Sequence, residues 1–379
     1  MEGDISVKIA VPKESASGET RVAITPAIAS QLVSSGMEVS VEKGAGMQSS
    51  FTDNSYKEAG AHIVTGTREL LEHADIILKV QKPNDEELGM MRSGTVLICL
   101  LWALSDPSLV EKLQKAGITA IGMEALPRIS RAQKMDALSA MSSIAGYKSV
   151  LLGANALGKY LPMLVTAAGT IPPAKTLVLG AGVAGLQAIA TARRLGAVVE
   201  SFDVRPAVKE QVESLGATFI DIPVQEQDAE TKGGYAKQQS KETQQKQQEV
   251  LHSHVMKADM VITTALVPGK PAPKLITKEM VSDMEPGAVI VDLAAEQGGN
   301  CELTRPGEDF FTDNGVIIRG PLNLPAAMPV HASQLYAKTI YALLMHMIKN
   351  GKPHFDFDDE ITGQATITHN GKIVSSLLL

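Results

Sequence analysis

Aromatic residues make up only 4% of this 379-residue chain, and there are two cysteines. Cys99 and Cys301 both lie in apolar, strand-like surroundings and form neither a disulfide framework nor a zinc site, so a reducing compartment is expected. A basic excess is also missing. Lys and Arg number 35 against 42 Asp and Glu, a formal net charge of −7. Nucleic-acid binders carry the opposite balance, and no basic block with interleaved aromatics occurs, which sets that class aside. The longest apolar run, VLICLLWAL from Val96 to Leu104, falls far short of the about 20 residues a spanning helix needs. It reads as a buried strand and the turn after it. The opening MEGDISVKIAVPKES has neither a basic n-region nor an apolar h-region, so no signal peptide is expected. The chain is expected to be soluble, with any membrane role carried by a partner.

The composition, 44% hydrophobic and 20% charged, is globular, and the length suits two domains. Short strand and helix signals alternate over the first third of the chain. Strands are predicted at Val7–Val11, Glu38–Glu42, Ile76–Val80, Val96–Leu101 and Thr119–Gly122, with helices at Pro26–Ser35 and Asp106–Ala116. A second series follows the Pro-containing stretch TAAGTIPPAK (Thr166–Lys175). It has strands at Thr176–Leu179, Val198–Phe202, Thr218–Ile220, Val261–Thr264, Ala288–Asp292 and Val316–Ile318, and helices at Val183–Leu195 and Ser240–Met256. The glutamine-rich interval Val224–Gln248 reads as a solvated helix face. Ser333–Ile348 has helical spacing and is expected to pack back on an earlier segment of the chain. Such alternation implies parallel sheets covered on both faces. The fold class is therefore α/β, with two Rossmann-like doubly wound domains, the second inserted between the first and its C-terminal return. The boundaries are placed at 1–140 plus 330–379 for the first and 141–329 for the second.

Gly180-Ala-Gly182-Val-Ala-Gly185 follows the strand TLVL and opens a helix. The first glycine suits a tight turn, the second lets a pyrophosphate approach the backbone, and the third lets helix and strand pack closely. The helix N-terminus adds unpaired N–H groups and a positive dipole end. Asp203 ends the next strand, at the spacing where an acid meets the adenosine ribose hydroxyls. A carboxylate there repels a 2′-phosphate, which favours NAD(H) over NADP(H). Arg205, two residues on, is the competing candidate for a phosphate contact.

A second constellation lies between the two series, in PRISRAQKMDALS (Pro127–Ser139), where a cleft between domains would open. Arg128, Gln133, Asp136 and Ser139 are packed into a dozen residues. On composition alone this stretch also reads as a polar linker starting a helix. His252 and His254 are two apart, on different faces of a helix, and no HExxH or Cys/His cluster occurs, so no metal site is expected.

PRISRAQKMDALS, IAGY (Ile144–Tyr147), TAAGTIPPAK, LVLGAGVAGLQAIATARRLGA, DVRPAVKEQVESLGA (Asp203–Ala217), GGYAK (Gly233–Lys237), TTALVPGKPAPKLIT (Thr263–Thr277) and VIVDLAAEQGGNCE (Val289–Glu302) closely resemble the NAD(H)-binding domain I of proton-translocating nicotinamide nucleotide transhydrogenases. The likeness runs from RVAITP (Arg21–Pro26) to the C-terminal helix. It implies that Arg128, Gln133, Asp136 and Ser139 hold the nicotinamide end of NAD(H). It places Gly180, Gly182, Val183 and Gly185 at the pyrophosphate turn and Asp203, Val204 and Arg205 at the ribose. Gly234 and Tyr235 match a mobile loop that closes over the nucleotide, and Gln247 and Leu266 also match cofactor positions. The resemblance further implies a homodimer on the cytoplasmic side of the inner membrane. Its partners would be an NADP(H)-binding beta subunit and membrane-spanning subunits through which hydride transfer from NADH to NADP+ is coupled to proton translocation.

Alanine dehydrogenase is the rival, similar in fold and N-terminal segments. Arg21 and Lys79 resemble its substrate-binding arginine and lysine. Its catalytic histidine falls at Leu100 here, and the aspartate before its QGG is replaced by Glu296. Loss of the histidine removes the general acid/base that an amine oxidation needs. A non-catalytic NAD-sensing module is the third reading, and it would not require the Arg128–Ser139 loop.

Overall fold

The computed structural model describes residues 6–221, 241–267 and 269–378. The chain divides into two compact units, Met1–Met141 with Ala326–Leu379, and Ser142–Pro325.

In the first unit six parallel strands, β1 (Lys8–Val11), β2 (Glu38–Glu42), β3 (His62–Val64), β4 (Ile76–Gln81), β5 (Val96–Leu100) and β6 (Thr119–Gly122), stand in the order β3-β2-β1-β4-β5-β6. Thr366–His369 runs antiparallel beside β6, and Lys372–Ile373 pairs with it at the edge. β4 reads IILKVQ and β5 VLICL, buried at nearly every position, because helices cover both faces of a parallel sheet. Ile77, Leu97, Cys99 and Leu113 belong to one core cluster. The helix Pro107–Lys115 shows how local sequence sets an element. Asp106 accepts a hydrogen bond from the Leu109 N–H at 3.1 Å, Pro107 takes the first position, and Lys112 and Lys115 lie in the last turn. The C-terminal helix, Pro329–Met347, begins four residues before the expected Ser333 because Pro329 suits a first turn. It packs within this unit as expected: Tyr336 Oη donates to the Lys79 carbonyl at 2.8 Å, and Val22 N donates to Ser333 Oγ at 3.0 Å.

The first strands of the second unit form a small antiparallel hairpin, β7 (Leu164–Thr166) and β8 (Gly169–Ile171), in the stretch expected only to separate the two series. Its main sheet contains β9 (Lys175–Leu179), β10 (Val198–Phe202), β11 (Thr218–Phe219), β12 (Met260–Thr263), β13 (Val289–Asp292), β14 (Asp309–Phe311) and β15 (Ile317–Arg319), in the order β11-β10-β9-β12-β13-β15-β14. Only β14 runs antiparallel. In both units the parallel strands follow the sequence 3-2-1-4-5-6, with the order reversing beside the first strand. In such sheets ligands bind outside the carboxyl ends of the strands at that reversal. The doubly wound α/β reading is borne out.

The helix Ala137–Ala156 is far longer than the helical start read at Asp136. Its glycines allow close packing in the second unit: a Cβ on Gly146 would lie 2.0 Å from the Ala184 carbonyl oxygen, and one on Gly153 would lie 2.3 Å from Met260 Sδ. One expectation needs correction. Gln247, read as part of a solvated face, is buried on the helix Lys241–Val255, while Gln248 is exposed. Among the described residues, no helix is long and apolar enough to cross a membrane.

Candidate functional site

At the end of β9 the chain turns into the helix Val183–Arg194 through Gly180, Ala181 and Gly182. Gly180 has φ +99°, a conformation that side chains resist. Its N–H donates to the Phe202 carbonyl at 2.8 Å, and the Gly180 carbonyl accepts from Thr264 Oγ1 at 3.1 Å. Gly185 sits so close beneath the turn that a Cβ there would lie 1.8 Å from the Gly180 oxygen. Gly182 is the opposite case, because a Cβ there would meet nothing within 4 Å. Open space therefore faces the start of the helix. No side chain caps that end and no acid lies in its first turn, so its N–H groups and positive dipole end can serve an anionic ligand. Val183 is exposed at this lip, whereas Ala188, Ile189 and Ala192 bury the opposite face.

Asp203, just past β10, is tied to the same turn. Its Oδ2 accepts from the Ala181 N–H at 2.7 Å. Arg205 binds both carboxylate oxygens: its backbone N–H and Nε reach Oδ1 at 2.9 Å, and Nη2 reaches Oδ2 at 2.8 Å. Val204 packs, partly buried, against the core cluster containing Phe202, Ile220 and Leu251. Leu266 is exposed beyond β12.

The segment after β12 is pinned by two residues to which the sequence pattern assigns no role, although both lie in VIVDLAAEQGGNCE. Asn300 accepts from the Ala265 N–H at 3.0 Å and donates to the Ala265 and Pro273 carbonyls, both at 2.8 Å. Asp292, fully buried, accepts from Thr263 Oγ1, Ala294 N, Cys301 N and Thr304 Oγ1. These bonds hold the carboxyl end of β12 beside the glycine turn.

The second constellation belongs to the first unit. Ser130–Met135 forms a tight 3₁₀ turn anchored by buried Ala132 and Met135, which leaves Arg128 and Gln133 exposed. Asp136 caps the helix Ala137–Ala156, accepting from Ser139 N at 2.8 Å and Ser139 Oγ at 2.5 Å. Arg131 Nη1 ties the turn to Asp359 at 3.2 Å, and Asp359 also pairs with His346 and accepts from the Thr362 N–H. Burial alone would raise the Asp359 pKa, but the Thr362, His346 and Arg131 bonds hold it well below the usual carboxylate range.

The glycine turn, Val183, Asp203 and Arg205 are thus brought together in one unit, and Asp136 with Ser139 in the other. Gly234 and Tyr235 lie outside the described residues.

The alanine dehydrogenase/PNT N-terminal domain model matches residues 10–145, and the alanine dehydrogenase/PNT C-terminal domain model matches 149–376. The chain belongs to the alanine dehydrogenase/PNT family. It is 49% identical to the first polypeptide of the NAD(P) transhydrogenase alpha subunit of Rhodospirillum rubrum, over 98% of this chain and 99% of that protein. The crystal structure of transhydrogenase from Sinorhizobium meliloti matches with a TM-score of 0.87 and 43% identity, covering 97% of this chain and 100% of that one. Alanine dehydrogenase of Bacillus subtilis is more distant, at 33% identity over 85% of this chain and 80% of its own.

Within that family, the residues likened to the substrate-binding pair of alanine dehydrogenase have internal partners here. Arg21 Nε and Nη2 bind the two Glu19 oxygens at 2.7 and 2.6 Å. Lys79 Nζ binds Glu87 Oε1 at 2.8 Å and lies 3.5 Å from Glu14 Oε2. The Arg21 and Lys79 side chains are 2% and 0% exposed. Burial raises the Glu14 pKa despite the nearby lysine. Burial would likewise lower the Lys79 pKa, but Glu14 and Glu87 more than reverse it. Leu100 is buried in β5, while Glu296 is exposed and accepts from Asn323 N at 2.6 Å. His252 and His254 pair with Asp283 and Glu200, each at 2.8 Å.

Proposed function

We propose that this chain is the NAD(H)-binding component of a proton-translocating transhydrogenase, passing hydride from NADH to NADP+ held by a partner subunit. One contrast carries the reading. The reversal point of the second unit offers an open glycine turn at an uncapped helix end, whereas that of the first is filled by the chain's own carboxylates. The chain has a place for a dinucleotide, but the cations suited to a small oxo acid are already neutralised.

Bound NADH supplies the hydride from its nicotinamide ring. The protein's work is then binding and orientation. The backbone beside Gly182 and the first turn at Val183 receive the pyrophosphate. Asp203, aided by Val204 and Arg205, takes the adenosine ribose, while Gln247 and Leu266 lie along the cofactor. Arg128, Gln133, Asp136 and Ser139 orient the nicotinamide. Hydride transfer between two nicotinamides moves no proton at the reacting carbons, so the site needs no general base.

The chain acts as a homodimer at the cytoplasmic face of the membrane, docked to an NADP(H)-binding beta subunit and to membrane-spanning partners that translocate protons. We place the self-contact at the hairpin β7–β8, where Met163, Val165 and Ile171 are exposed. Two assays on the isolated chain test the reading. Nicotinamide fluorescence should report NADH binding, and NADH should not be consumed with pyruvate and ammonium. Turnover in the second assay would favour the alanine dehydrogenase reading.

A further inference from the structure

We propose that the first unit carries a ligand site of its own, for a phosphomonoester of a small organic molecule, at the start of the helix Pro26–Ser34. The site does not involve the glycine turn, and the hydride transfer proposed above does not use it.

A cavity of about 590 Å³ opens there, within the range of about 300–1,000 Å³ usual for small-molecule sites. Three stretches distant in sequence build its wall: the first turn of the helix, Ser50 to Thr52 with Ser55, and Gln334 and Lys338, one turn apart on the C-terminal helix. Hydrogen bonds lock these stretches together. Ser333 Oγ bonds Ser49 Oγ at 2.8 Å and accepts from Val22 N, while Tyr56 Oη donates to the Ile24 carbonyl at 2.7 Å.

The helix start offers donors and holds no anion. Pro26 has no N–H, and the Ala29 N–H reaches the Thr25 carbonyl at 2.9 Å, so Ala27 and Ile28 hold the N–H groups that the helix itself does not satisfy. No acid lies in the first turn, and no residue lining the cavity is acidic. Asp53, next to Thr52, accepts instead from Gly44 N at 2.8 Å. A positive dipole end of this kind is common to helices. Thr25 makes this one a site. It is 5% exposed, and the little that shows lines the cavity. Its hydroxyl does not cap the helix and has no other hydrogen-bond partner among the described residues, whereas buried polar groups are ordinarily paired. The neighbouring hydroxyls are engaged: Thr52 Oγ1 accepts from Ser55 N at 3.2 Å, and Ser55 Oγ donates to the Thr52 carbonyl at 2.6 Å. Lys338 is exposed and forms no ion pair among the described residues. Two N–H groups, a hydroxyl and an ammonium on one wall suit the three acceptor oxygens and nearly double negative charge of a phosphomonoester. Pro26, Ile28 and Phe51 give its organic part an apolar surface.

The test titrates phenyl phosphate and inorganic phosphate into the full chain and its variants Thr25→Val and Lys338→Gln at constant ionic strength, read by calorimetry and thermal melting. Phenyl phosphate should bind, and several-fold tighter than inorganic phosphate. Each variant should lose about tenfold in affinity, the factor a charge-assisted hydrogen bond confers. Without ligand both variants should melt with the parent, because neither polar group has a protein partner to lose. If Thr25→Val melts early, Lys338→Gln, altered at an exposed side chain, decides alone. Saturating NADH should leave the phenyl phosphate affinity unchanged. No binding by the parent, equal affinity for the two phosphates, or affinity kept in a folded variant overturns the proposal. So does displacement by NADH, which would put the phosphate at the glycine turn.

Discussion

The Gly185 α-carbon lies so close to the Gly180 carbonyl that a single added methyl would stand 1.8 Å from its oxygen. No flexible side chain is available to yield, because the obstacle is backbone, and Gly180 is itself held by Phe202 and Thr264. Gly185→Ala should therefore push the helix Val183–Arg194 off β9. Overpacking of this kind costs about 1–3 kcal/mol. The expected result is a lower melting temperature together with NADH affinity reduced more than tenfold. Unchanged affinity would separate the turn from cofactor binding.

Gln133 is exposed on a turn anchored elsewhere by Ala132 and Met135, so its replacement leaves the fold intact. Gln133→Asn withdraws the amide by one methylene. Misplacement of about 1 Å can cost ~100-fold in rate. Single-turnover hydride transfer should slow by roughly that factor, while NADH affinity, read by fluorescence, changes far less. A normal transfer rate would remove the turn from the chemistry.

Lys79 is fully buried between Glu14 and Glu87, and removing one member of such a group strands the others. Lys79→Met is expected to destabilise the chain by about 3–5 kcal/mol, as broken buried pairs do. Adding Glu14→Gln and Glu87→Gln should return much of that loss. Denaturant unfolding of the single and triple variants checks both halves. Equal stabilities would show that the lysine acts through packing alone.

Glu19 gives a pH prediction with a definite sign. Burial alone would raise its pKa, but the hydrogen bonds and charge of Arg21 outweigh burial and bring it from 4.5 to about 2. The folded value lies below the unfolded one. Its contribution is therefore fully present above about pH 4.5 and is lost as the pH falls toward 2, on the order of 3 kcal/mol in all. Glu14, whose pKa burial raises, works in the opposite direction, so the comparison is made on Glu19→Gln alone. The variant should show a flatter acid limb in unfolding free energy between pH 4.5 and 2 than its parent. An equally steep limb would contradict the assignment.

Most long elements were legible in the sequence because their patterns are strong. The strands Glu38–Glu42, Thr119–Gly122 and Val198–Phe202 fall where apolar periodicity put them, and the glycine turn had both its strand and its helix. What escaped was short or defined by contacts across the sequence. His62–Val64, Asp309–Phe311 and the hairpin Leu164–Ile171 consist of three-residue strands, too brief for a period to register. Helix Ala137–Ala156 carries Gly146 and Gly153, residues of low helix propensity. Only the nearness of Ala184 and Met260 explains them. At the site, Asp203 was visible from its spacing. The fork of Arg205 across both its oxygens, and the anchoring of Ala265 by Asn300, are three-dimensional facts that no spacing rule encodes.

Reconstitution puts the transhydrogenase reading to its sharpest trial. The purified chain is mixed with the NADP(H)-binding component of a transhydrogenase, without membranes, in NADH and an NADP+ analogue of shifted absorbance. The analogue should be reduced only when both proteins are present. Intact NADH binding with no transfer, or NADH oxidation by pyruvate and ammonium with this chain alone, would contradict it.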